Sequence, residues 1–103
     1  MKTEALLAFQ AFIEAKAKMH SIRDYLNRDQ QLNIMGLYPE IHVFGEPDFY
    51  KLADAYKAVV TESPFVASEK MFDTRLTFNV TSKEYGITFE VFCLREAEKG
   101  EGK

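Results

Sequence analysis

In the last third of the chain Phe72, Leu76, Phe78 and Val80 alternate with polar residues, and Tyr85, Ile87, Phe89, Val91 and Cys93 then do the same. Side chains on a strand point to opposite faces in turn, so two such runs joined by Thr81, Ser82, Lys83 and Glu84 define a β-hairpin with one apolar face. No other stretch narrows the possible folds as far. The apolar set is even-numbered on the first strand and odd-numbered on the second, which requires an even loop. A loop centred between Ser82 and Lys83 pairs Phe78 with Ile87 and Leu76 with Phe89 on one face, and Arg75 with Glu90 and Thr77 with Thr88 on the other.

The rest of the chain supplies what covers that apolar face. From Thr3 to Asn27 the pattern is helical, with Ala5, Ala8, Phe12, Ala15, Met19, Ile22 and Leu26 spaced alternately three and four apart, a heptad seam. The helix ends by Gly36 at the latest. After Pro39 comes a short strand, residues 40–44, with Ile41 and Val43 on one side and His42 and Phe44 on the other. Gly45, Glu46, Pro47 and Asp48 then read as a helix start, since proline suits the first helical turn and acids complement the helix dipole. Phe49, Leu52, Ala53, Tyr56, Val59 and Val60 continue it until Ser63 and Pro64 close it. Residues 65–70 read as a crossover, with a short additional strand as the other reading.

The pattern therefore predicts an α+β fold of order α-β-α-β-β, a three-stranded antiparallel sheet with both helices on one face. In 103 residues, 47% hydrophobic and 14% aromatic, there is material for one core and no second domain. Residues 1–94 are expected to form that domain and residues 95–103 a disordered charged tail, because the tail's only apolar residue is one alanine. A net charge of −3 gives no long-range field to gather polyanions, and a single cysteine suits a reducing compartment, so the cytoplasm is the expected location. Charges recur too often before Met19 for a signal peptide or a membrane span.

On this layout the reverse sheet face is bare and carries His42, Phe44, Arg75, Glu90, Phe92 and Leu94. Large apolar side chains among charges mark a partner-binding surface, unless the chain's own connections cover them. Arg75 opposite Glu90 serves first as a register device. Glu40, His42 and Glu90 make the one polar cluster with metal-ligand chemistry, but two ligands on a short strand arise easily by chance, and no metal or cofactor is expected. Cys93 lies in phase with Phe89 and Val91 and reads as a small core residue. No serine elbow or glycine-rich phosphate loop occurs, so no catalytic residue is assigned. Lys16, His20, Arg23 and Arg28 form a basic strip on the first helix, the feature behind a nucleic-acid alternative, although bases also gather at helix C-termini for the dipole's sake.

The first helix is longer than the strands it would cover, so its extra turns, carrying Met19, Ile22 and Leu26, require either the 32–37 connection or a second copy, and a homodimer through Phe12, Met19, Ile22 and Leu26 is expected.

The segments Pro39-Glu-Ile-His-Val-Phe-Gly45, Pro47-Asp-Phe-Tyr-Lys-Leu-Ala53 and Glu84-Tyr-Gly-Ile-Thr-Phe-Glu-Val-Phe92 resemble small uncharacterised proteins of bacterial phages and prophages. In those proteins a valine-alternating strand leads into a Phe-x-x-Leu-Ala helix and a Tyr-Gly-Val-x-Phe terminal strand. The resemblance implies a mobile-element accessory protein, a protein-binding module acting beside host or phage machinery, with no functional residue to carry over.

Overall fold

The two alternating runs form neighbouring strands at the centre of the sheet in a computed structural model that describes residues 3–66 and 72–96. The elements are α1 (Thr3–Asp29), β1 (Glu40–His42), α2 (Glu46–Ala55), β2 (Thr61–Pro64), β3 (Phe72–Thr81) and β4 (Thr88–Glu96). The fold is α+β, with two helices and one four-stranded mixed sheet of order β1-β4-β3-β2. Leu76, Phe78 and Val80 from β3 and Phe89, Val91 and Cys93 from β4 are all buried. Their outward neighbours Arg75, Thr77, Asn79, Thr88, Glu90 and Phe92 are not.

The expected sheet differs in two ways, and one cause accounts for both. Residues 61–64 form β2, an edge strand paired antiparallel with β3 through Thr61–Thr77 to Pro64–Thr74. The predicted second helix ends earlier to allow it: Tyr56 caps α2, and Lys57 takes a left-handed φ of 52° that no helix continues through. This added strand reverses the chain once more before β4. An antiparallel β1 becomes parallel to β4, with Glu40 opposite Glu90, Ile41 opposite Val91 and His42 opposite Phe92. Phe65 and Val66 are in neither helix nor strand, and residues 67–70 of the expected crossover lie outside the described residues. The strand β4 also runs through Arg95 and Glu96, two residues into the expected tail. There the Arg95 guanidinium donates to Glu46 at 3.0 Å and lies 3.6 Å from Glu62. Residues 97–103 are outside the described residues.

Backbone packing divides the chain into two units, Met1–Pro39 with Val80–Phe89, and Glu40–Asn79 with Glu90–Lys103. In the second, the α2 side chains Phe49, Leu52 and Ala53 are buried, and the Phe49 ring lies 5.2 Å from that of Phe78. Gly45, at a φ of 95° that disfavours other residues, precedes α2, with Pro47 in its first turn as expected.

In the first unit α1 buries Ile13, Ala17 and His20, one turn apart on one stripe. It ends at Asp29, before Gly36. Gln31 adopts a left-handed φ of 59°, and the Leu32 amide donates back to the Leu26 carbonyl at 3.0 Å, a closure that satisfies the last helical carbonyls. The connection that follows is tied to the helix by Asn27, whose side chain both donates to and accepts from the backbone of Ile34, and by Arg23, which donates to the Leu37 carbonyl at 2.9 Å.

The hairpin loop sits two residues further along than the alternation implies. Ser82 donates its amide to the Ile87 carbonyl at 2.8 Å and accepts from Gly86 at 3.0 Å, so the loop is residues 83–86. Thr88 meets Thr81, with the hydroxyls 2.9 Å apart, so Ser82–Ile87 and Thr81–Thr88 replace the predicted Phe78–Ile87 and Thr77–Thr88. Two residues cause the shift. Gly86 supplies the positive φ of 69° that ends the loop. Glu14, on α1, accepts from the Ser82 hydroxyl at 2.6 Å and from the amides of Lys83 and Glu84 at 2.8 and 3.2 Å. Ser82 is thereby satisfied while buried, which a loop-centre serine would not be.

The Ser82 hydroxyl first, and then the Lys83 amide, hold the Glu14 carboxyl below the ordinary carboxylate range. A lowered acid stabilises the fold above its unfolded-state value and loses that contribution as pH falls through the folded-state value. Glu14→Gln is therefore expected to lower stability at neutral pH and to flatten the acid limb of the stability curve. Amide hydrogen exchange at Lys83 and Glu84 should accelerate in the variant, and unchanged exchange would show that the clamp does not hold the loop.

Candidate functional site

Alternation along β1 and β4 sends His42 and Phe92 to the same outward face, and their parallel pairing sets them side by side. Their rings stack at 4.4 Å with an interplanar angle of 20°. Phe44, two residues beyond His42, packs on its other side at 4.0 Å. Arg75, from β3, lays its guanidinium 4.0 Å above the Phe92 ring. The result is a continuous row, Phe44–His42–Phe92–Arg75, of three rings and a planar cation. Such contacts combine ring stacking with cation–π attraction.

Two carboxylates fix the cation end. Arg75 Nη2 donates to Glu40 at 3.2 Å and also to Glu90, which lie opposite each other on β1 and β4. The Arg75 side chain is 22% exposed and the two glutamates are about twice as open, so the guanidinium is the buried member of the trio. At the far end Phe44 is 77% exposed. The row is thus anchored at one end and open at the other.

Five of the six residues expected on the partner face, His42, Phe44, Arg75, Glu90 and Phe92, meet in this cluster, together with Glu40. Leu94 is half-buried and outside the ring row. Arg75 and Glu90 do contact, although the loop lies elsewhere than the predicted pairing required, because the long arginine reaches its partner along the face of Phe92.

The other sequence-derived sets are arranged differently. Lys16 places its ammonium 5.9 Å from the Phe89 centroid, and His20 is buried edge-on to the same ring at 5.4 Å. Arg23 is held by the Leu37 carbonyl and Asp24, and Arg28 sits 3.6 Å from Asp29. The basic strip is not a free surface: its first three residues face their own unit. Burial, then the charges of Lys16 and Arg23, push the His20 pKa down, and its Nε2 has no hydrogen-bond partner. The residues of the self-association set are placed outward, with Phe12, Met19 and Ile22 about half exposed and Leu26 half-buried.

Cys93 is buried, and burial followed by the nearby Glu46 raises its thiol pKa, the surroundings of a core thiol rather than a nucleophile. Among the described residues no group of three His, Cys, Asp or Glu is placed to hold a metal. Glu40 and Glu90 are engaged by Arg75, and the His42 ring is sandwiched between phenyl groups. An open hollow along Glu62, Ser63, Pro64, Asp73 and Thr74, on the β2–β3 edge, includes none of the row's residues. No described helix is long and apolar enough to cross a membrane. No protein-family model, curated protein or solved structure matches the chain.

What the cluster can do follows from its parts. It contains no nucleophile, and its histidine is disfavoured as a proton acceptor: partial burial, then the Arg75 charge, lowers the His42 pKa. It can present a rigid apolar surface with an acidic border. In Arg75→Gln the His42 pKa is expected to rise toward the ordinary value of about 6.5, since the repelling cation is gone and two carboxylates are released. An NMR titration of the His42 ring checks this, and an unchanged or lower value would mean that Arg75 does not govern the row. Both histidines are lowered in the folded state, so their contribution to stability is complete above about pH 6.5 and declines as pH falls from there through the folded-state values.

Proposed function

We propose that this protein is a small interaction module that docks a protein partner on the outer face of β1, β3 and β4, with Phe44 as the anchor. The observation that carries the reading is the Phe44–His42–Phe92–Arg75 row, pinned at its arginine end and with Phe44, 77% exposed, at the other. A large ring held in place by its neighbours loses little conformational entropy on binding, and aromatic and arginine side chains dominate the energetics of protein interfaces. A lone exposed phenylalanine would need no explanation. One braced by a stacked imidazole, a second ring and a doubly paired guanidinium is costly to arrange for no contact.

The border narrows the partner's chemistry. Glu40 and Glu90 together with Arg75 leave a net negative charge beside the rings. A partner segment that sets an apolar or aromatic side chain on Phe44 and a lysine or arginine against the glutamates would satisfy both. The motif resemblance read from the sequence over residues 39–94 is the ground on which we propose a mobile-element accessory role for the module.

The test is binding, measured by titration against the partner captured from the native host. Phe44→Ala should weaken binding by roughly thirtyfold, the scale of about 2 kcal/mol at a central interface residue. Val59→Ala, which trims an equally exposed apolar residue outside the row, should leave it unchanged. Equal effects of the two variants, or no effect of either, would remove the reading.

A further inference from the structure

The four-stranded sheet ends in β1 on one side and β2 on the other, and the two edges differ. The β2 edge finishes on Pro64, which has no amide hydrogen to donate. In β1 no proline, lysine or bulge, the usual means of closing an edge to further pairing, interrupts the strand. The Val43 amide donates to the Phe92 carbonyl at 2.9 Å, and in a parallel ladder every second residue turns both its N–H and its C=O to the same neighbour. Ile41 and Val43 therefore face β4, and Glu40 and His42 direct their backbone groups away from the sheet. Among the described residues no backbone group bonds to them on that side.

We infer that the free edge of β1 takes an extended segment of a protein partner as an added antiparallel strand, with aromatic, β-branched and basic residues at alternate positions opposite Phe44, His42 and Glu40. This rests on the sheet-face reading above and states the form of the partner. A row of unpaired N–H and C=O groups is matched by another extended backbone, and antiparallel pairing is the stronger kind per residue. Parity then assigns the side chains. The partner residues that bond to Glu40 and His42 are the ones whose side chains fall on the outer face, in line with the ring row. Next to Phe44 and His42 that position suits an aromatic and a β-branched residue.

Charge sets the last position. Glu40 and Glu90 share the single Arg75 guanidinium, which leaves one negative charge in excess, and the Glu40 side chain, the one at the edge, is 45% exposed. The side chain placed beside it is therefore a lysine or arginine. A second copy of β1 does not meet this requirement: paired antiparallel about His42, it sets Glu40 against Phe44 and supplies no cation.

The probe is a capped synthetic peptide with Phe-Thr-Val-Thr-Lys at its centre, titrated against the full chain. Binding should slow amide hydrogen exchange at His42. N-methylation of the peptide valine, whose amide meets the His42 carbonyl, should weaken binding by about tenfold or more, the scale of one lost backbone hydrogen bond. N-methylation of either threonine, whose amide points away from β1, should change it by less than about twofold. Replacing the peptide lysine by glutamate should weaken binding by about fivefold, the scale of one exposed ion pair, and Glu40→Gln should remove that difference. Absence of saturable binding at millimolar peptide, or equal effects of valine and threonine methylation, overturns strand addition. Binding that is lost in Phe44→Ala but indifferent to valine methylation removes the strand and keeps the ring row as a docking face. The methylation pattern persisting in Phe44→Ala upholds the strand and removes Phe44 as the anchor.

Discussion

The strict two-residue alternation of β3 and β4 is the constraint on which the remaining structure rests. A strand cannot place neighbouring side chains on one face, so burying Leu76, Phe78, Phe89, Val91 and Cys93 obliges Arg75, Glu90 and Phe92 to point outward. A slip of one residue in either strand would drive charges into the core, and burying an unpaired charge costs several kcal/mol, comparable to the whole stability of a domain this size. The outer row is thus a by-product of the inner one. What evolution could choose was the identity of the outward residues, and there it has three aromatic rings and an arginine among the acids.

Two polar devices lock elements that the apolar pattern leaves free. Glu14 reads the hairpin loop from α1, collecting one hydroxyl and two amides on a single carboxylate. Arg75 joins β3 to glutamates of β1 and β4. Neither is a deep ion pair of the kind whose desolvation cancels its attraction. Both sit where water is partly excluded and each donor has an acceptor.

The two faces of the hairpin were legible in the sequence, and the register was not. The predicted and observed pairings at the loop differ by four residues in partner number, an even shift, which keeps every side chain on its own side. Alternation reports side and is blind to even slips. The true loop depends on Glu14, 68 residues from Ser82, and on the single glycine at 86, which reads as part of the second strand. The edge strand β2 was invisible for a related reason: all four of its residues are exposed, and Thr-Glu-Ser-Pro carries no apolar signal. Missing it reversed the direction of β1. On α1 the heptad seam was legible, but not the residues that the helix buries. Ile13, Ala17 and His20 are the buried stripe, with the His20 ring edge-on to Phe89, and a histidine among basic neighbours looked like surface. The ring row was the best-read feature, since shared faces on short strands follow from residue parity alone.

The most direct test of the inside–outside assignment is the reactivity of the one thiol. Cys93 lies on the inner face of β4 with 1% of its surface exposed. In the native protein it should react with a thiol reagent only as fast as the chain opens, and promptly once denaturant is added. Immediate stoichiometric labelling under native conditions would place Cys93 in solvent and reverse the two faces of the sheet.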